Sequence, residues 1–174
     1  MATIIQFTGL SGAGKTSLAE AVEMELAQLG YRVCIIDGDI YRQSLCKDLG
    51  FSKVDRMENI ARLGKYAWEQ SSKFDLIIIA VINPFDESRE MLKQKYGALL
   101  VYIHCDLSIL KKRDTKGLYR RAGLAEGAKE KIYNLTGVND VYDEPRNPDL
   151  ILNTTNTSLH ETTNQLKNYL LAIL

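Results

Sequence analysis

The sequence predicts a three-layer α/β fold: a central, mainly parallel sheet with helices on both faces. Three observations predict it. Short apolar runs alternate along the chain with stretches of helical period. Leu76–Ile82 is apolar at every position, as in a strand covered on both faces by right-handed crossover helices. A glycine-rich octet, Gly9–Thr16, stands between the first strand and the first helix.

The elements follow in order. Thr3–Thr8 is a β-branched strand that breaks at the octet. The helix after it places Leu18, Val22, Leu26 and Leu29 on one face, and Gly30 stands where it stops. Arg32–Ile36 reads as the second strand and leads into Asp37-Gly38-Asp39. Asp55–Ser71 reads as a helix with Ile60, Leu63 and Ala67 on one side and Trp68 as packing. Leu99–His104 is a further strand, followed by a short helix to about Arg113. Leu150–Leu152 is a last short strand. A C-terminal helix uses Leu159, Leu166, Leu170 and Ile173 as its buried stripe.

Between these elements, Lys111–Lys131 carries eight basic and three acidic residues, with three glycines and little apolar periodicity. Such a run suits either a solvated surface or a mobile basic lid that closes over phosphates, and the lid is set at about residues 111–136.

Composition narrows the class. The 174 residues suit a single domain, 1–174, able to bury a sizeable core without a metal or disulfide staple. Twenty-two basic and 22 acidic residues cancel, which argues against a nucleic-acid or membrane-surface partner. The apolar run at 76–82 is far too short to span a bilayer, and residues 1–8 lack the pattern of a signal peptide. Three cysteines with no CxxC pair fit reduced thiols, and a cytoplasmic setting is expected. His104 and His160 have no metal-ligand spacing.

Chemistry concentrates in the octet, Gly9-Leu10-Ser11-Gly12-Ala13-Gly14-Lys15-Thr16, which matches GxxxxGK(S/T). Its glycines let backbone N–H groups converge on phosphate oxygens at the positive end of a helix. Lys15 supplies a charge to the β- and γ-phosphates, and the Thr16 hydroxyl suits Mg²⁺. ATP is the expected ligand of Gly9, Ser11, Gly12, Ala13, Gly14, Lys15, Thr16 and the adjoining Ser17. No NKxD guanine motif is present, and no apolar strand is read as ending in a lone magnesium-binding aspartate. Asp37-Gly38-Asp39 instead offers a carboxylate that holds a water of Mg²⁺ or accepts a hydroxyl proton; a plain Asp-Gly turn is the alternative. A P-loop, an early aspartate and a late basic lid suggest a small-molecule kinase of the P-loop NTPase, nucleoside-kinase-like fold.

In order along the chain, GLSGAGKT, DGDIYR (37–42), LGFSKVDRMENIARLG (49–64), INPFDESRE (82–90), RDTKGLY (113–119) and LTGVNDVYDEPRNPDLILNT (135–154) resemble the adenylylsulfate (APS) kinase family over nearly the whole length. The resemblance implies phosphorylation of the ribose 3′-hydroxyl of adenosine 5′-phosphosulfate by MgATP, giving the 3′-phosphorylated sulfate donor of sulfate assimilation. It implies Lys15 and Asp39 as catalytic groups, and Thr16 and Asp39 at the metal. Asp39, Arg42, Phe51, Arg56, Asn59, Ile82, Lys116 and Leu135 are then the acceptor side, Phe51 stacking on the base and Lys116 reaching in from the lid. Arg113 is implied against the ATP adenine, and a homodimer as the assembly.

The chain departs from the family pattern on the acceptor side. Asn83 replaces the serine of ISP, which excludes a phosphoenzyme step there. Ala61 replaces an arginine, Asp86 a cation, and Leu135 the second aromatic that sandwiches the base. The stretch from Gly117 to Thr136 is about five residues longer. Fewer cations and one stacking ring suit a strongly anionic adenine nucleotide less well. The rival acceptor is therefore another 5′-linked nucleotide, such as a CDP-linked phosphoramidate of surface-polysaccharide modification. A regulator that binds nucleotide without catalysis is the alternative of a different class; the presence of Lys15, Thr16, Asp39 and Arg113 argues against it.

Overall fold

The computed structural model describes residues 1–174. Its sheet has five strands, all parallel, in the order β2-β3-β1-β4-β5. The strands are β1 (Thr3–Thr8), β2 (Val33–Asp37), β3 (Leu76–Ala80), β4 (Leu99–His104) and β5 (Leu150–Asn153). The helices are α1 (Lys15–Gln28), α2 (Gly38–Tyr41), α3 (Lys53–Gln70), α4 (Asp86–Tyr96), α5 (Leu107–Arg113), α6 (Leu118–Ala122) and α7 (Leu159–Leu171).

The apolar run at β3 works as its pattern implies, because successive side chains enter opposite layers. Leu76, Ile78 and Ala80 join Ile5 and Phe7 in a core with Leu18, Val22 and Leu26 of α1 and Leu166 and Leu170 of α7. Ile77, Ile79 and Val81 join Ile36 in the opposite core, with Ile60, Leu63 and Ala67 of α3 and Leu92 of α4. The three-layer expectation is therefore met, strand by strand.

Several ends move. β3 stops at Ala80 rather than Ile82, since Val81–Pro84 turns away to floor the cleft described below. Leu29 is exposed beyond the end of α1, and Leu159 and Ile173 of the expected α7 stripe lie at the surface. Thr162 and Thr163 are buried in that stripe instead. Each back-bonds its hydroxyl to a carbonyl one turn earlier, at 2.8 and 2.7 Å, which lets a polar side chain enter an apolar layer. Trp68 is half exposed and packs one face on Tyr96 at 5.9 Å. Helix α4, which periodicity does not mark, fills the crossover between β3 and β4.

No helix is long and apolar enough to cross a membrane. The three cysteines are free, as expected.

Candidate active site

The site lies at the carboxyl ends of the parallel strands, where crossovers leave a crevice. Gly9 starts the phosphate loop under a steric demand: a Cβ there would collide with the Ile103 carbonyl oxygen. Gly14 ends it in the left-handed region at φ 97°, and α1 begins on the next residue. The loop is braced from outside, because Tyr119 of α6 donates its hydroxyl to the Ser11 carbonyl at 2.7 Å and Thr154 donates to the Ala13 carbonyl at 2.9 Å.

Lys15 curls back along the loop, its Nζ donating to the Gly9 and Leu10 carbonyls at 2.8 Å each. Burial, seconded by the charge of Lys116 and opposed by Asp39 and Asp37, pulls its pKa down to about 8. A bound polyphosphate would supply the anion this ammonium lacks. The Thr16 hydroxyl donates to Asp37 Oδ2 at 2.6 Å. Asp37 is buried at the end of β2 and caps α2, its Oδ1 accepting the backbone N–H of Asp39 at 2.8 Å and of Ile40 at 3.3 Å.

The contact at Thr16 differs from the pairing expected from sequence. Asp37, not Asp39, meets Thr16, and an apolar strand does end in an aspartate next to the phosphate loop. The reason is local. α2 begins at Gly38, so its cap residue points inward while Asp39, in the first turn, points to the lid. Asp39 is exposed there and holds an ion pair with Lys116, so the lid is tied across the cleft to the candidate base.

The acceptor-side residues assemble on the opposite wall. The Phe51 ring is 54% exposed, with the Arg42 guanidinium 4.5 Å and the Arg56 guanidinium 5.5 Å from its centre. The exposed part of the ring is an aromatic surface open to a flat ligand. Arg42 anchors through one nitrogen to the Leu49 and Gly50 carbonyls. Arg56 is buried, and its fork is fully engaged: with the Phe51 carbonyl, Thr136 Oγ1, the Asn134 carbonyl and Asp140 Oδ2, at 2.8 to 3.1 Å. Burial lowers its pKa, which Asp140 opposes. Asn59 is buried too, and its Oδ1 has no hydrogen-bond partner. An orphaned acceptor on a pocket wall fits a ligand donor, since leaving it empty costs stability.

These two walls line one cleft of about 750 Å³ with Ser11, Gly12, Gly14, Lys15, Thr16 and Ser17 on one side, and Arg42, Phe51, Arg56 and Asn59 on the other. Asp39, Ile82, Lys116 and Leu135 line it as well. The Ile82 carbonyl is already taken by the Thr8 hydroxyl at 2.7 Å and the Gly9 N–H at 3.4 Å. Leu135 is buried and belongs to the apolar core beneath the lid. Gly9 and Ala13 form the back of the loop rather than the cleft lining. Arg113 also lies off the cleft, donating to the Thr154 carbonyl at 2.8 Å beside the Cys105 thiol.

The departures look different in three dimensions. Asp86 does not load the acceptor wall with negative charge: it turns away to Arg89 at 2.7 Å and Arg146 at 3.4 Å. Ala61 is not among the residues lining the cleft. Asn83 is buried in the left-handed region at φ 42°, its side-chain Nδ2 donating to Gln6 Oε1 and its Oδ1 accepting from the Ser88 hydroxyl. It holds the cleft floor. Sequence reasoning missed Asp37, Asn134, Thr136, Asp140 and Arg121, of which only Asp37 carried a signal: an acid ending an apolar strand.

Comparison with known proteins follows the same line. Residues 1–153 match the family model described as adenylylsulphate kinase. An adenylyl-sulfate kinase of Bacillus licheniformis is 42% identical over 170 residues, 96% of this chain and 84% of that protein. One of Bacillus pumilus is 41% identical over 169 residues, 95% of this chain and 83% of that protein. The APS kinase of Mycobacterium tuberculosis, solved with AMPPNP and APS, superposes with a TM-score of 0.87 at 34% identity, covering 97% of each chain. Agreement in sequence and in backbone over nearly the full length leaves one assignment: the chain belongs to the adenylylsulphate kinase family.

Proposed function

We propose that this protein transfers the γ-phosphoryl group of MgATP to the ribose 3′-hydroxyl of adenosine 5′-phosphosulfate. One observation carries the reading. A phosphate loop and a wall of one aromatic ring, two guanidiniums and an orphaned amide oxygen face each other across a single cleft, with Asp39 between them. Membership of the family and the nucleotide pair named for the Mycobacterium tuberculosis enzyme support it.

In this reading the loop amides and Lys15 hold the donor phosphates, and Arg113 lies at the adenine end. The oxygen-donor pair of Thr16 and Asp37 fits Mg²⁺, a hard cation that keeps waters and phosphate oxygens in its shell. When bound there, Mg²⁺ neutralises charge on the transferring phosphates. Phe51 takes the acceptor base, Asn59 accepts from it, and Arg42 faces the 5′ anion, while Arg56 shapes that wall through its bonds to Asn134, Thr136 and Asp140. Asp39 receives the proton of the attacking 3′-hydroxyl once Lys116 leaves it for an acceptor oxygen. Transfer is direct and in line, with no phosphoenzyme, since Asn83 is buried and amide-bonded. The same proposal takes a homodimer as the assembly, which sedimentation equilibrium reads directly.

The cytidine-linked acceptor is not favoured: Asp86 and Ala61, two of its three motives, do not face the cleft. The test is ADP release with MgATP and adenosine 5′-phosphosulfate, a CDP-linked nucleotide, AMP and CMP in parallel. The expected result is the highest kcat/KM for adenosine 5′-phosphosulfate, with product phosphorylated at the 3′ position. Efficient turnover of a cytidine nucleotide beside negligible sulfate turnover would sink it.

A further inference from the structure

We propose that Arg121, on the cleft face of α6, binds the anionic 5′ substituent of the acceptor nucleotide from the lid. Leu118 and Arg121 stand one turn apart and both line the cleft, while Tyr119 points the other way to the phosphate loop. Arg121 Nε donates to the Glu130 carbonyl at 3.1 Å, which fixes the plane of the guanidinium. Its two terminal nitrogens have no acceptor within the protein. Arg121 and Glu130 both belong to the Gly117–Thr136 stretch, so the contact is internal to the lid.

Of the other cations lining the cleft, Arg42 engages one nitrogen and the rest are committed. Lys116 is paired with Asp39, Lys15 with two carbonyls, and the Arg56 fork with four oxygen acceptors. Position selects the acceptor end. The Arg121 carbonyl accepts the Ile132 N–H at 3.3 Å, and two residues on, the Asn134 carbonyl accepts from Arg56 at 2.8 Å. Arg121 is therefore stitched to the wall that carries Arg56. A guanidinium with two free edges suits a phosphate-type anhydride, which offers paired oxygens that a single ammonium cannot match. An anion held between Arg42 on α3's approach loop and Arg121 on the lid draws the two sides together.

This inference rests on the kinase reading, and the experiment separates their failures. Wild-type protein is first assayed with MgATP and adenosine 5′-phosphosulfate; no turnover there overturns the kinase reading itself. With turnover in hand, R121A is expected to raise the acceptor KM roughly ten- to a hundredfold, the range of a lost charge-assisted hydrogen bond, and to leave the MgATP KM within about twofold. R121K is expected to recover only part. In calorimetry with ADP present, R121A is expected to weaken AMP but not adenosine, which lacks the anion. Equal weakening of AMP and adenosine, an acceptor KM unchanged in R121A, or a loss confined to MgATP would each overturn the proposal.

Discussion

At Lys15, burial and charge oppose one another within a single residue. The ammonium sits against loop carbonyls with a pKa of about 8, so the free protein loses this charge as pH rises through that value. Polyphosphate binding favours the charged form, which raises the pKa in the complex. The expected outcome is a kcat/KM for MgATP that falls above pH about 8 while kcat stays flat to higher pH, read from paired pH profiles. Lys15→Ala is expected to cut kcat by roughly a hundredfold or more, in the range seen when one donor to a developing charge is removed. Asp39→Asn is expected to lower kcat with little change in the MgATP KM; near-normal kcat would remove Asp39 as the base. These residues were legible because a phosphate loop demands fixed residue types at fixed spacing. Asp140 was not, since nothing local to it signals that a buried arginine 84 positions earlier needs its carboxylate.

Helix α4 shows why an element can hide from periodicity. Its buried positions include Ser88 and Arg89, with Leu92 the one buried apolar residue, so no apolar stripe marks it. Arg89 is buried because its fork reaches the Asn83 carbonyl, Asp86 and the Asp143 carbonyl at 2.6 to 2.9 Å. The helix is stabilised by satisfied polar groups rather than by transfer of apolar surface, which a hydropathy pattern does not register. Its ends do carry signals: acids in the first turn, lysines in the last, and Gly97 in the left-handed region just beyond. The α3–α4 contact is close-packed at Gly64, where a Cβ would strike Leu92 and come within 2.9 Å of Tyr96. Gly64→Ala is expected to destabilise the fold by about 1–3 kcal/mol through overpacking, measured by urea unfolding. Asp140→Asn acts between elements, loosening the tie from α3 to the lid return. A loss of about 1–3 kcal/mol is expected, since Arg56 stays buried with its counter-charge gone.

Across the whole molecule, the lid is held far less firmly than the sheet. Its tie to the opposite wall, Lys116 to Asp39, joins two exposed side chains, and such pairs contribute at most about 1 kcal/mol. Helix α6 has five residues and is anchored mainly by Tyr119, whereas β1 and β3 lie in the sheet interior. Amide hydrogen exchange is therefore expected to be fast through about residues 114–134 and slow in β1 and β3, with a non-hydrolysable ATP analogue and AMP together slowing the lid. Equal protection of lid and sheet without ligand would contradict this.

The sequence by itself determined the α/β class, the phosphate loop, the two sides of the cleft and the family. Each follows from a local pattern: alternating elements, a doubly buried strand, glycines at fixed spacing, and motifs in collinear order. The tertiary structure alone decided which aspartate meets Thr16, that Asp86 turns away from the cleft, and that Arg121 keeps its two terminal nitrogens free. Those outcomes depend on which side chains reach one another across the fold. A carboxylate two residues from another is equivalent in sequence, but helix α2 points one at the phosphate loop and the other at the lid.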